Sequence, residues 1–349
     1  MHVMLAHLKY QISQRSEGVP DGVQRSESFA HFRFALSYAY DMLVSRTIQD
    51  LQALILIALH LRNFDKPGVA WAWSSVVITV AVQLGYHRSA KAYFDEATMP
   101  SLHEIELRKR VFWLIYGIHI GLAGKLGRPT LVRPEDVDVE FAEPIPDCLP
   151  TERPISEFHA CSFVMGIHTQ KIMLLFGKMY STIYALNRPT PPVYESTIRR
   201  LEQEVRLWRS EIPTEIADAT KETKQEYVFA LFLDYWETEF QLLLHHPALC
   251  PFTDPKLLRA NEEACVSAGN RMLHIVLEIR KERCLDMPWV NTVVYLAAMF
   301  TRLFVEQKRV EPMNLADFEQ LKIDMHSWLQ VITDCGEALG MDIQNYPSK

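Results

Sequence analysis

The stretch HIGLAGKLGRPTLVRPEDVDVE, residues 119–140, carries the residue types of a phosphate site: Gly121, Gly124 and Gly127 around Lys125, then Asp136, Asp138 and Glu140. A phosphate-cradling loop needs G-x-x-x-x-G-K followed by Ser or Thr, so that backbone N–H groups and the lysine meet the phosphates. Gly124-Lys125 fits the middle of that pattern, but His119 stands at the first glycine and Leu126 at the hydroxyl. A dinucleotide fingerprint ending at Gly127 needs glycine where Leu122 stands. Both loops also follow a strand, whereas this one follows a long helical pattern. The glycines read instead as places where a neighbouring helix approaches closely, with Gly127-Arg128-Pro129 ending the helix.

The remaining candidates fare no better. Asp136, Asp138 and Glu140 alternate with Val137, Val139 and Phe141, a short extended segment with one wet face. The central glycine and distal glutamate of a calcium loop are missing. HEIE at 103–106 is not the zinc-protease H-E-x-x-H, and His103 falls in a first helical turn. His245-His246 close an apolar helix before Pro247, where the helix dipole favours cations. No G-x-S-x-G elbow and no D-D-x-x-D magnesium motif is present. In ELRKRVFW, pairs such as Glu104–Arg108 and Glu106–Arg110 at i,i+4 account for the cluster of Arg108, Lys109 and Arg110 without a nucleic-acid contact. No catalytic residue and no metal ligand is assigned.

The elements that position these residues are helices almost throughout. Phe29, Phe32, Leu36, Tyr40 and Leu43 recur at three and four over Ser28–Val44. Thr47 offers an N-cap to TIQDLQALILIALHLRN, and VAWAWSSVVITVAVQLGYHR continues until Gly85, a natural residue just past a helix end. Both segments are apolar on nearly all sides and predict a buried helix pair. Within the second, VVITV favours a strand, but the spacing of Trp73, Val77, Val80 and Leu84 outweighs it. Ser101 with Glu104 gives a capping-box signature to the next helix, whose Leu107, Val111, Leu114, Ile118 and Leu122 form one face. Further helices are expected over 156–186, 194–210, 223–246, 255–282, 288–308 and 315–339. The prediction is an all-α fold of about ten or eleven helices packed as antiparallel pairs in one large domain over 28–340. An N-terminal segment, 1–27, is expected to be poorly ordered or partly helical, and 341–349 is a tail. Trp71, Trp73, Trp113, Trp208, Trp236, Trp289 and Trp328 lie on apolar stripes, as core or as the lining of an effector pocket.

Bulk composition narrows the function classes. With 36 Lys and Arg against 43 Asp and Glu, the formal net charge of −7 opposes nucleic-acid or anionic-membrane binding through the overall field. Cysteines at 148, 161, 250, 265, 284 and 335 never come as C-x-x-C, which excludes a zinc finger or ribbon among them and reads as reduced thiols. The longest apolar runs are shorter than the ~18 residues of a membrane span, and no signal peptide is visible.

Several segments, in order, resemble the regulatory domain of fungal zinc-cluster transcription factors, the middle homology region. TIQDLQALILIALHL comes first, then AWAWSSVVITVAVQLGYHRS, similar to that family's A-W…A-x-x-L-G-L-H-R helix. EIELRKRVFWLIYGIHIGLAGKLGRPTLVRPEDVDVEFAEPIPD resembles its E-x-R-R-R-x-F-W…L-G-R-P…D-x-D…P block, and LEQEVRLWRSEIP, LDYWETEFQLLLHHPAL, EEACVSAGNRML and WVNTVVYLAAMF follow. The resemblance implies fold-defining roles for Trp71, Gly85, His87, Arg88, Glu106, Arg108, Arg110, Trp113, Gly127, Arg128, Pro129, Asp136 and Asp138. It departs from the family where His119-Ile120 replaces Asp-Arg, and where Thr79 and Ser75 replace Arg and Gly.

A regulator of transcription in the nucleus is implied, its helical domain restraining or licensing activation in response to a small-molecule effector or another transcription regulator, with pathway-specific control as the narrower form. The effector pocket is not located by the sequence, and no membrane partner is expected. Zinc and direct DNA contact belong to an upstream six-cysteine cluster in this family and are expected only with one. The 28 residues before the resemblance hold no cysteine, so a corepressor or decoy acting through a complete family member is the alternative, and a helical enzyme the remote one.

Overall fold

The structure, a computed structural model, describes residues 1–15, 22–146, 161–246, 255–285, 288–309 and 312–339. The expected tail, Cys148, Cys250, Pro247 and the first residues of the helix expected over 156–186 lie outside the described residues. Among the described residues there is no strand, and fourteen α-helices replace the expected ten or eleven. The difference comes from segments too short or too even to show a period. His2–Arg15 (α1) is helical, Ser28–Val44 divides at Tyr38 into Gly22–Ser37 (α2) and Ala39–Ser45 (α3), and Ala90–Tyr93 (α6) and Thr214–Ala217 (α10) are single turns.

The single domain drawn from the sequence divides into two compact units, residues 1–181 with 208–218, and 182–207 with 219–349. In the first, Ile48–Leu61 (α4), Pro67–Gln83 (α5) and Leu102–Lys125 (α7) pack on one another, and α1 and α2 lie against α4. Thr47 caps α4 as a full capping box: its Oγ1 accepts from the Asp50 N–H at 3.2 Å, and Asp50 Oδ2 accepts from the Thr47 N–H at 3.0 Å. Ser101 Oγ accepts from the Glu104 N–H at 3.3 Å to begin α7. The buried set of α4 and α5 (Leu51, Leu54, Ile55, Ile57, Val77, Ile78) confirms a helix through VVITV, since burial on several sides of α5 lets β-branched residues pack there. Val164–Thr182 (α8) completes the unit's interior, with Ile172 and Phe176 buried.

The second unit holds most of Pro191–Ser210 (α9) together with Lys224–Leu244 (α11), Pro255–Lys281 (α12), Pro288–Gln307 (α13) and Leu315–Ala338 (α14). Its core joins Tyr235 and Leu242 of α11, Met272 and Val276 of α12, Val294 and Tyr295 of α13, and Trp328 and Val331 of α14.

Candidate functional site

The sequence-derived residues cluster in the first unit, around both ends of α7. At the end of α5, Gly85 adopts φ +72°, and the Tyr86 N–H reaches back to the Ala81 carbonyl at 3.0 Å, the six-to-one closure of a left-handed helix end. The positive φ is what position 85 needs glycine for; a Cβ there would also press on the far end of the exposed Tyr93 ring. Arg108 of α7 seals this end. Its Nη2 donates to the Leu84 carbonyl at 3.2 Å, and its guanidinium lies 4.3 Å from the Tyr86 ring centroid and 4.8 Å from that of Phe94. A cation at a helix C-terminus between two aromatic faces is favoured by both the dipole and the ring quadrupoles.

The i,i+4 pairs expected within ELRKR are not the ones formed. Glu106 is buried and accepts from Lys109 Nζ at 2.6 Å, an i,i+3 pair with both side chains under 10% exposed. Its other oxygen accepts the Glu143 backbone N–H at 2.8 Å. Burial favours the pair that can satisfy both carboxylate oxygens, whereas Glu106–Arg110 would leave the buried lysine only the Glu143 carboxylate at 3.8 Å. Arg110 instead places its guanidinium 4.9 Å from the Phe163 ring and Nη2 at 3.7 Å from Cys161 Sγ. Trp113 is buried, donates from Nε1 to the Glu140 carbonyl at 3.0 Å and stacks on Phe141 at 4.6 Å.

The acidic segment has the expected wet face, with Asp136, Asp138 and Glu140 exposed, and its other face is strapped to α7. Within it, Val139 is buried. The Asp138 and Val139 N–H groups both donate to the His87 carbonyl at 3.2 Å. Asp138 Oδ1 accepts from Arg88 Nε at 3.0 Å and from the Ser89 N–H at 2.9 Å, and those contacts hold its carboxyl below the usual carboxylate range. Burial, with Arg88 beside it, lowers the His87 imidazole from its ordinary value. Asp136 sits on the surface in a 3₁₀ turn, Pro134–Asp136, and pairs only locally with Arg133, at 3.0 and 3.2 Å.

At the far end of α7, Gly127 has φ +61°, and the Arg128 N–H donates to the Ala123 carbonyl at 2.8 Å, ending the helix as the sequence predicts. The close approach expected of the glycines is real at Gly124, where a Cβ would run into the Tyr180 ring of α8, and unneeded at Gly121, where nothing lies within 4 Å. Arg128 lies 5.8 Å from the half-buried Trp71 ring, and Pro129 is exposed.

Sequence reasoning missed the hub of this end. His119 is fully buried, and its Nε2 accepts from the Leu131 N–H at 3.1 Å, which places the ring proton on Nδ1. Nδ1 donates to Ser74 Oγ at 3.2 Å, and Ser74 donates in turn to the Trp71 carbonyl at 2.8 Å. Burial keeps the imidazole neutral, with its pKa lowered to about 4. One polar residue inside IYGIHIGLAG was the available signal. Elsewhere, His245 is buried with Nδ1 2.9 Å from Asn261 Oδ1 and Nε2 3.2 Å from Glu202, contacts that bind helix ends together. Among the described residues no group of three or more His, Cys, Asp or Glu is placed to hold a metal ion. None of their helices is long and apolar enough to cross a membrane.

This constellation is an internal brace: in its one hydroxyl–imidazole contact, Ser74 with His119, the ring donates and so is no base to that hydroxyl. Residues 6–210 match the fungal specific transcription factor domain. The chain belongs to that family. Curated relatives agree. The chain is 24% identical over 315 residues to the transcriptional activator protein acu-15 of Neurospora crassa, covering 85% of this chain and 32% of that one. It is 23% identical over 231 residues to activator of stress genes 1 of Saccharomyces cerevisiae, covering 64% and 23%. It is 22% identical over 216 residues to an ABC-transporter-regulating transcription factor of Aspergillus fumigatus, covering 61% and 23%. The chain thus spans between about a quarter and a third of the length of these relatives. No solved structure matches it. The family and the relatives are transcription factors, not enzymes, and a nuclear role follows from the family.

Proposed function

We propose that the chain is the regulatory module of a fungal-type transcription factor, a helical body whose packing restrains or licenses activation in response to a small-molecule effector or a partner regulator. The observation that carries the reading is the family match over residues 6–210 laid on helices whose signature side chains are engaged in internal bracing. Such a brace fixes one packing, and an effector that binds better to a packing with the brace released would bias the balance between the two. In this reading DNA is reached through a separate zinc-cluster module or a partner regulator.

The test places the full chain between a heterologous DNA-binding domain and a constitutive activation domain in a yeast reporter strain. Insertion should change reporter output several-fold relative to the direct fusion, and Glu106→Ala should release that change. Output equal to the direct fusion across growth media rejects the proposal.

A further inference from the structure

In the second unit, α13 and α14 each carry a further apolar stripe on the side away from the core. On α13 it runs Val293, Leu296, Phe300, Leu303, Gln307, and on α14 Leu315, Phe318, Lys322, Met325, Leu329, Ile332. Both alternate steps of three and four, the heptad spacing of a seam between helices. The residues that enter the core are others: Val294, Tyr295 and Ala298 on α13, and Trp328, Val331 and Cys335 on α14. Phe300 is 58% exposed and Leu315 77%; Leu303, Phe318 and Leu329 are exposed as well, and Val293, Leu296, Met325 and Ile332 are half-buried. Single exposed apolar residues are ordinary on a protein surface, but two seams on neighbouring helices form a patch.

We infer that this face docks a second copy of the chain, the α13–α14 hairpins of two copies closing a four-helix bundle. The symmetry of the face selects that occupant. The Tyr295 and Trp328 rings meet at 5.6 Å, and Arg309 lies 3.9 Å from Asp317, so the helices run antiparallel with Phe300 level with Ile323. A two-fold axis crossing both helices at that level serves both seams at once. Along α13 it sets Phe300 on its own copy and Leu296 against Leu303 of the second copy. Along α14 it sets Leu315 against Ile332 and Phe318 against Leu329 of the second copy. Beside that seam, Glu319 then faces His326 of the second copy, twice in the dimer. Lys322 is the one charged residue in either seam, and a lone polar seam residue fixes register. The area also suffices. The helices have 20 and 24 residues. At ~1.5 Å per residue and ~10 Å across, their joint face is roughly 600 Å² in projection, on the scale of the about 800 Å² that each partner buries in a stable dimer.

The experiment is sedimentation of the full chain from about 1 to about 100 µM. The chain should become a dimer across that range. Phe300→Lys puts like charges together on the axis and should weaken association at least about thirtyfold. Circular dichroism should not change, because the side chain is exposed. Glu319→Lys and His326→Glu should each weaken association by about two- to fivefold, and the double variant should recover it, as only the antiparallel register allows. Leu207→Glu, at an exposed leucine of α9, should leave the dimer intact. A chain that stays monomeric throughout overturns the inference and gives the face to a different protein. A dimer that Phe300→Lys leaves intact, or that Met4→Glu on α1 dissociates instead, overturns it too.

Discussion

The α5–α7 junction and the α1–α4 junction lie in the same unit, and each buries a histidine. At the first, both ring nitrogens of His119 have partners, on Leu131 and Ser74. At the second, His60 is 1% exposed, yet its Nδ1 has no hydrogen-bond partner, and neither do Asn63 Nδ2, just past the end of α4, and Gln14 Nε2 of α1. His60 is held by rings instead, 4.8 Å from Phe32 and 5.9 Å from Tyr10. Directional contacts fix one register, while aromatic packing tolerates several. The difference teaches which interface the fold specifies and which it merely covers. α7 is braced against α5, whereas α1 takes its directional contacts from α2, with Ser28 Oγ donating to the Ala6 carbonyl at 2.6 Å, and meets α4 through rings.

The strongest way to break the braced side is at the buried pair. Glu106→Ala leaves buried Lys109 with only the more distant, exposed Glu143 carboxylate at 3.8 Å, and the Glu143 N–H without its acceptor. It should cost about 3–5 kcal/mol in urea unfolding followed by circular dichroism. The double variant Glu106→Leu, Lys109→Met should recover most of that loss, because both charges then leave the interior together. A single variant that unfolds like the wild type would mean the pair is solvated.

The two histidines test the comparison directly. His119→Leu strands the Leu131 N–H and takes from Ser74 Oγ the hydrogen bond it accepts, and should cost about 2 kcal/mol. His60→Leu removes a ring nitrogen that has no partner, and should leave stability unchanged or slightly raised. Equal losses at both positions would erase the distinction between braced and covered interfaces.

Much of this was legible, because it follows from repetition or from local backbone rules. Helical period gave the all-α class, and Thr47, Ser101, Gly85 and Gly127 mark helix ends through chemistry confined to four or five residues. α6 and α10 escaped because four residues contain barely one turn of period. The pairing in ELRKR escaped for another reason: i,i+3 and i,i+4 partners compete almost equally in sequence, and the Glu143 N–H that favours Glu106–Lys109 arrives from 37 residues away. His119 escaped likewise, since its partners lie 45 residues before it and 12 after. Long-range partners leave no periodic trace.

A smaller effect sharpens the comparison through pH. Burial lowers the imidazoles of His60, His119 and His168 to about 4, against about 6.5 when unfolded. The unfolded chain therefore takes up more protons as pH falls through about 6.5, so the folded state loses stability from there down to about pH 4 and gains nothing further above about pH 7.5. Between pH 7.5 and 6 the loss is under about 1 kcal/mol for each histidine. His60→Leu should flatten that slope with stability at pH 8 retained, while His119→Leu should flatten it from a lower plateau. A slope unchanged by either substitution assigns the pH dependence to other groups.

The smallest expected effect separates two aspartates that sequence pattern treats alike. Asp136 and Asp138 share the D-x-D spacing and one exposed side of the strap. Asp136 meets Arg133 within its own turn, so its contact survives in the local chain whether or not the strap is docked. Asp138 meets Arg88 and the Ser89 N–H some 50 residues earlier, so its contacts exist only when the strap lies against the end of α5. An exposed pair adds little to stability by itself, but an N–H acceptor at a docking point adds geometry. Asp136→Ala should leave the unfolding midpoint where it is, and Asp138→Ala should lower it measurably and speed hydrogen exchange at the Ser89 and Val139 amides. If Asp136→Ala were the more damaging of the two, the strap would be held by its turn, and the brace around α7 would begin at Arg133 rather than at His87.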